Sequence, residues 1–150
     1  MKKTIIYTVI LIVLFVSCKE IKTQNDISRN EEAISLLGFF DKNAFNSEIG
    51  TYYSEINNNG EIVSGKVFNV ALSRLIYGLS YSSHIDETYL KKAKLAADFQ
   101  IEKLISEDSL GTYFVSYFDL ETNRADTSTD LDIWQQAYGL CGLTELYKCS

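Results

Sequence analysis

The chain has 150 residues, of which 46% are hydrophobic and 13% aromatic, enough for one ordinary core, and its 23% charged content is too moderate for a disordered polypeptide. Its net charge of −6, with no basic stripe, argues against nucleic acid as a partner, because a phosphate binder displaces counterions with concentrated positive charge.

The first element in chain order is a leader. Lys2 and Lys3 precede an uncharged run, residues 4–17, that is too short to cross a bilayer comfortably as a helix and has the flanks of an export signal. The stretch FVSC at residues 15–18 resembles a bacterial lipobox, with Phe15 where that pattern prefers Leu. The resemblance implies a lipoprotein signal peptide over residues 1–17 and lipid attachment at Cys18, which would anchor the mature chain to a membrane of the bacterial cell envelope, facing the periplasm or the surface. A plain signal peptide cut near Ser17, with Cys18 incidental, is the alternative reading. Residues 18–27 are polar without apolar periodicity and are expected to form a flexible tether.

The folded region is expected over residues 28–150. Ser28 and Glu31 have the spacing of a capping box, and Ala33, Ile34, Leu37 and Phe40 recur at helical spacing. An aromatic segment, GTYYSEINN, starts at Gly50 and runs into the polar turn NNNGE. Residues 66–80, KVFNVALSRLIYGLS, are apolar almost all round, as in a helix buried on several sides, and predict an inner helix. The lone His84 falls in the polar turn after it and reads as solvated surface. Residues 86–107 place Leu90, Ala93, Ala97, Ile101 and Leu104 on one stripe, with charges on the other faces, and predict an outer helix. A second aromatic segment, GTYFVSYFD, starts at Gly111, and residues 131–147 predict a second inner helix with Asp130 as its N-cap.

These elements form an internal repeat. The two GTY phrases begin at Gly50 and Gly111, and a second shared word, YGL, begins at Tyr77 and Tyr138, an offset of 61 in both cases. Alternating outer and inner helices at that period suit an all-α fold, an α/α toroid forming part of an (α/α)6 barrel with short β-hairpins at its mouth. The chain is long enough for little more than two such units and is expected to be incomplete as an enzyme.

Three stretches carry a resemblance to a known family. GTYYSEINNNGEIV from Gly50, SRLIYGLS from Ser73 and WQQAYGLCGLTELY from Trp134, in that order, resemble the glycine-aromatic hairpin and the first two inner helices of the N-acylglucosamine 2-epimerase and cellobiose 2-epimerase family. Those are sugar epimerases and isomerases built as (α/α)6 barrels, and the resemblance covers residues 28–150 as the N-terminal part. It implies that Arg74 reaches the sugar. Arg74 is also the only charged residue between Lys66 and Asp86, and a guanidinium offers fixed donors to hydroxyls or to a developing enediolate. An arginine that snorkels or pairs with a carboxylate is the structural alternative.

The same resemblance places Tyr53 and Phe114 at aromatic substrate positions. Phe114 stands where many disaccharide epimerases have Tyr, so it can stack on a sugar but cannot donate a hydrogen bond. Gln136 matches a glutamine of the second inner helix, with a packed polar residue near a helix N-terminus as the alternative. The family's catalytic histidines lie in later repeats, so no catalytic residue is assigned here.

The function expected is the N-terminal part of an exported sugar 2-epimerase or isomerase, moving a proton at C2 of a small reducing sugar such as an N-acylhexosamine, mannose or glucose. No metal and no organic cofactor is expected. A carbohydrate-binding lipoprotein or an α/α-barrel glycosidase fragment is the alternative. Cys141 and Cys149 form no C-x-x-C unit and read as packing residues, and DTSTDLD at residues 126–132 lacks the glycine and terminal glutamate of a calcium loop.

Overall fold

The computed structural model describes residues 24–109, 111–126 and 131–150. The leader, Cys18 and Asp130 lie outside the described residues. The chain divides into a unit ending at Ala33 and a unit from Ile34 to Ser150. Of the first, the described part is helical from Gln24 and its side chains from Arg29 to Ala33 are exposed. Helix α1 spans Gln24–Ala44, so it begins before the expected boundary at Ser28, and Ser28 lies inside it instead of capping it. No described helix is long and apolar enough to cross a membrane.

In the second unit, α1 leads into a hairpin of β1 (Phe45–Asn46) and β2 (Thr51–Tyr52), with Phe45 opposite Tyr52. Then come β3 (Lys66–Phe68), α2 (Asn69–Ser82) and α3 (Thr88–Lys103). A second hairpin joins β4 (Ile105–Asp108) to β5 (Gly111–Phe114), followed by β6 (Tyr117–Asp119), β7 (Arg124–Ala125) and α4 (Ile133–Cys149). Helix, hairpin, strand and helix therefore occur twice, at the period read from the sequence. The glycine of each GTY phrase has positive φ, +69° at Gly50 and +122° at Gly111, a region that side chains with a Cβ rarely enter. That requirement accounts for the recurring glycine.

The all-α expectation is overturned. Four described helices are accompanied by three antiparallel sheets, and the chain is mixed α/β instead of a segment of a plain all-α toroid. Two of the helices expected from the sequence give up their ends to strands. Lys66–Phe68, read as the start of an inner helix, pairs with Tyr117–Asp119, Val67 facing Phe118. Ile105–Asp108, read as the end of the outer helix, pairs with Gly111–Phe114. Strands β3, β6 and β7 form one sheet, so backbone hydrogen bonds join the two repeat units. A short apolar run fits a buried strand as well as a helix, and the strand wins where a partner edge satisfies its backbone groups.

Helix α2 is the centre of the unit, packing most extensively on α4 and next on α3. It buries Leu72, Ile76 and Leu79, each side chain contributing about 1.5–3 kcal/mol. Ala93, Ala96 and Ala97 of α3 share this core, and small side chains allow a close helix approach. The stripe on α3 differs from the expected one at Ile101, which is 52% exposed, while Phe99 and Gln100 turn inward. Helix α4 is capped by Asp132, whose carboxylate accepts from the Trp134 N–H at 3.0 Å.

A buried polar seam fixes the register of the three helices. Gln100 Nε2 donates to Asn69 Oδ1 at 2.7 Å and to the Gly139 carbonyl at 3.0 Å. Ser73 Oγ donates to the same carbonyl at 3.1 Å and accepts from the Gly142 N–H at 2.9 Å. Buried hydrogen bonds at fixed positions penalise any helix slip, because a slipped seam leaves polar groups unpaired.

Candidate functional site

The first hairpin, α1 and α2 enclose a cavity of about 330 Å³. Leu37 and Phe40 of α1 form one wall, Leu75 and Gly78 of α2 another, and Tyr52 and Tyr53 close the hairpin side. Arg74 is the one cationic residue of the lining. It points there because Leu72, Ser73 and Ile76 occupy the inward face of α2, which leaves position 74 on the open side.

The Arg74 guanidinium lies over the Tyr138 ring, 4.6 Å from its centroid. Among the described residues it forms no ion pair with a carboxylate, and it is part of the cavity lining. Tyr138 stacks in turn on Trp134, with centroids 6.3 Å apart and rings 26° from parallel. Trp134 is 68% exposed. A cation flanked by an aromatic pair, of which Trp134 is exposed and Tyr138 half-buried, offers both hydrogen bonds to hydroxyls and a face for apolar C–H groups.

Tyr53 is held from both ends. Its N–H donates to the Ala44 carbonyl at 2.9 Å, and its hydroxyl accepts from Asn46 Nδ2 at 3.1 Å. Tyr52, beside it, is 2% exposed and donates its hydroxyl to Asp41 at 3.2 Å. Burial, and then the neighbouring Asp41 carboxylate, push the Tyr52 phenol far above its ordinary range, so it stays a proton-bearing donor. Lys92 on α3 donates to both carboxylate oxygens of Asp41, which ties α3 to α1.

The structure brings together only part of the expected site. Arg74 and Tyr53 share the cavity, whereas Phe114 and Gln136 are placed elsewhere and pair with each other. Gln136 Oε1 accepts from the Phe114 N–H at 2.7 Å and its Nε2 donates to the Phe114 carbonyl at 2.8 Å. The amide thus extends the β5 ladder as a further strand would. The Phe114 ring is 6% exposed and abuts Gly139, where an added Cβ would come within 2.6 Å of it. Trp134 and Tyr138, which mark the repeat and the family-like stretch in the sequence, were not assigned to the site there, although their i, i+4 spacing is a signal for stacked aromatics on one helix face.

No family model and no curated protein matches the chain in sequence. A solved structure, cellobiose 2-epimerase from Bacillus thermoamylovorans, superposes with a TM-score of 0.69 at 19% identity, over 84% of this chain and 32% of that one. In fold, the chain is similar to that epimerase. The resemblance read from three sequence stretches therefore holds at the level of fold. The chain spans about a third of the length of that relative.

Proposed function

We propose that the chain is the sugar-recognising part of a carbohydrate 2-epimerase or isomerase. The observation that carries this reading is the open Arg74 guanidinium, set between an aromatic-walled cavity and the Trp134–Tyr138 stack. A reducing sugar laid there would find donors for its hydroxyls and, once C2 loses its proton, a fixed positive charge for the enediolate oxygen. Tyr53 would line the far side of the same sugar. Epimerisation also needs two acid/base groups, one for each face of C2. His84 does not fill that role here, because it is exposed and its Nδ1 is engaged with the Tyr81 carbonyl.

The lack of an acid/base pair among the described lining residues favours one second reading, a carbohydrate-binding lipoprotein without catalysis. Saturation-transfer NMR with mannose, N-acetylmannosamine and cellobiose tests recognition, and loss of the C2 proton signal in D2O tests exchange. Binding with C2 exchange supports the epimerase reading, binding without exchange supports the second, and no transfer for any sugar contradicts both. The leader motivates a further part of the proposal, attachment to the cell envelope through Cys18. Labelling with radioactive palmitate in a bacterial host checks it, with label expected in the natural chain and none in Cys18→Ala; an unlabelled natural chain contradicts it.

A further inference from the structure

Arg74 and Tyr138 belong to different repeat units, and the buried seam is what brings them together. Ser73, the residue before Arg74, donates its hydroxyl to the carbonyl of Gly139, the residue after Tyr138, at 3.1 Å, and accepts from the Gly142 N–H at 2.9 Å. Those bonds hold α2 and α4 in one register, because a slip would leave buried polar groups unpaired. The neighbouring side chains therefore meet, with the guanidinium 4.6 Å from the centroid of the Tyr138 ring. Arg74 is exposed and Tyr138 half-buried. Among the described residues the guanidinium has neither an ion pair nor a hydrogen-bonded acceptor, so this ring is what restrains it. The ring is engaged a second time by Trp134, which stacks on it and is itself 68% exposed. At the offset of 61, Gln135 stands on α4 where α2 has Arg74, so the pairing is not a contact that the repeated helix requires.

We infer that Tyr138 is a positioning residue: it orients the Arg74 guanidinium before a ligand arrives and acts on the ligand through that arginine. An arginine side chain loses rotamer freedom when its donors are fixed on a ligand, and a ring that already holds the guanidinium removes part of that cost. Tyr138 has both Arg74 and Trp134 against its ring, whereas the indole of Trp134 keeps an exposed surface. The sugar is then met by Arg74 and Trp134, with Tyr138 behind them. The recognising cation comes from α2 of the first unit and the ring that aims it from α4 of the second, so this part of the site is complete only when the two units are docked. The inference rests on the sugar-binding reading of Arg74 and adds to it the residue that sets the arginine's direction.

NMR of the isotope-labelled full chain tests it through the Arg74 Nε–Hε signal, which needs no ligand. In the wild type the signal should be displaced by the ring current of Tyr138 and show restricted motion. Tyr138→Leu, checked for folding by an unchanged circular dichroism spectrum, should return it to the position and mobility of a free arginine, and Tyr138→Phe, which keeps the ring, should restore both. Titration with mannose, N-acetylmannosamine and cellobiose should then show affinity weakened about two- to fivefold by Tyr138→Leu, the worth of an exposed cation–π contact, and recovered by Tyr138→Phe. In an Arg74→Ala background, Tyr138→Leu should cause no further loss. Two results overturn the inference: an Arg74 signal that Tyr138→Leu leaves unmoved, or a loss of affinity that Tyr138→Leu causes equally in the Arg74→Ala background, as when Tyr138 itself touches the sugar. A wild type that binds none of the three sugars overturns the reading of the site instead, and an Arg74 signal that follows the ring supports the positioning all the same.

Discussion

Ser73 and Gly142 interlock α2 with α4: the serine hydroxyl accepts from the Gly142 N–H at 2.9 Å, and a Cβ added to that glycine would lie 2.3 Å from the Ser73 carbonyl oxygen. The position tolerates no side chain. Gly142→Ala is expected to lose about 2 kcal/mol of stability, the overpacking cost exceeding the gain of about 1 kcal/mol in helix propensity. Urea denaturation of the two proteins reads this directly, and an unchanged midpoint would show that the helices part without cost.

Gln136 serves the fold in this structure, since both polar ends of its amide are engaged by the Phe114 backbone. Gln136→Ala leaves that N–H and carbonyl unpaired and is expected to cost about 1–3 kcal/mol. Sugar affinity per folded molecule should not change. A variant of wild-type stability with weakened sugar binding would return Gln136 to the substrate site.

Alkaline pH should unfold the protein through Tyr52. Its phenol is raised by burial and by Asp41, so above the ordinary phenol value of 10.0 the unfolded chain loses this proton while the folded chain keeps it. The contribution is complete below that value and declines as pH rises above it. Tyr52→Phe should therefore flatten the alkaline limb of a stability profile relative to wild type. Parallel limbs above pH 10 would refute the assignment.

Acid should weaken two turns for the opposite reason. Asp86 lies below the ordinary carboxylate value mainly because it accepts the Thr88 N–H at the start of α3, and Asp119 mainly because it accepts the Glu121 N–H in the β6–β7 turn. Depressed values mean stability present above the unfolded value of 3.8 and lost as pH falls through the folded one. Amide exchange in these two turns should rise below pH 3.8 in the natural chain and less so in an Asp86→Asn, Asp119→Asn double variant, whose side-chain carbonyls still accept but do not titrate. Equal rises in both proteins would locate acid sensitivity elsewhere.

The period of 61 was legible because glycine is required where the hairpins turn at positive φ, and because YGL sits on corresponding helices. Strand β3 was not legible as a strand. Its partner lies about fifty residues away in sequence, and a run such as KVFNVAL has no period that separates strand from helix. At the site, Arg74 stood out because a single charge in an apolar helix has few places to go. For Gln136 both readings stayed open, because a polar residue at a matched position looks the same in sequence whether its amide meets a ligand or pairs with a backbone, as it does with Phe114 in this structure. The Trp134–Tyr138 stack was missed because the helix was read as wholly inner, whereas one of its faces is open.

Arg74 is the residue on which the sugar-binding account stands, and Trp134 fluorescence is the most direct way to question it, since the indole stacks on the ring beneath the guanidinium. Titration with mannose, N-acetylmannosamine and cellobiose should give a saturable change for at least one sugar, with a Kd of about 1 mM, corresponding to roughly −4 kcal/mol. Arg74→Ala should weaken it at least about tenfold, the loss expected for a charged hydrogen-bond donor. A signal that never saturates, or one that Arg74→Ala leaves unmoved, would contradict the account.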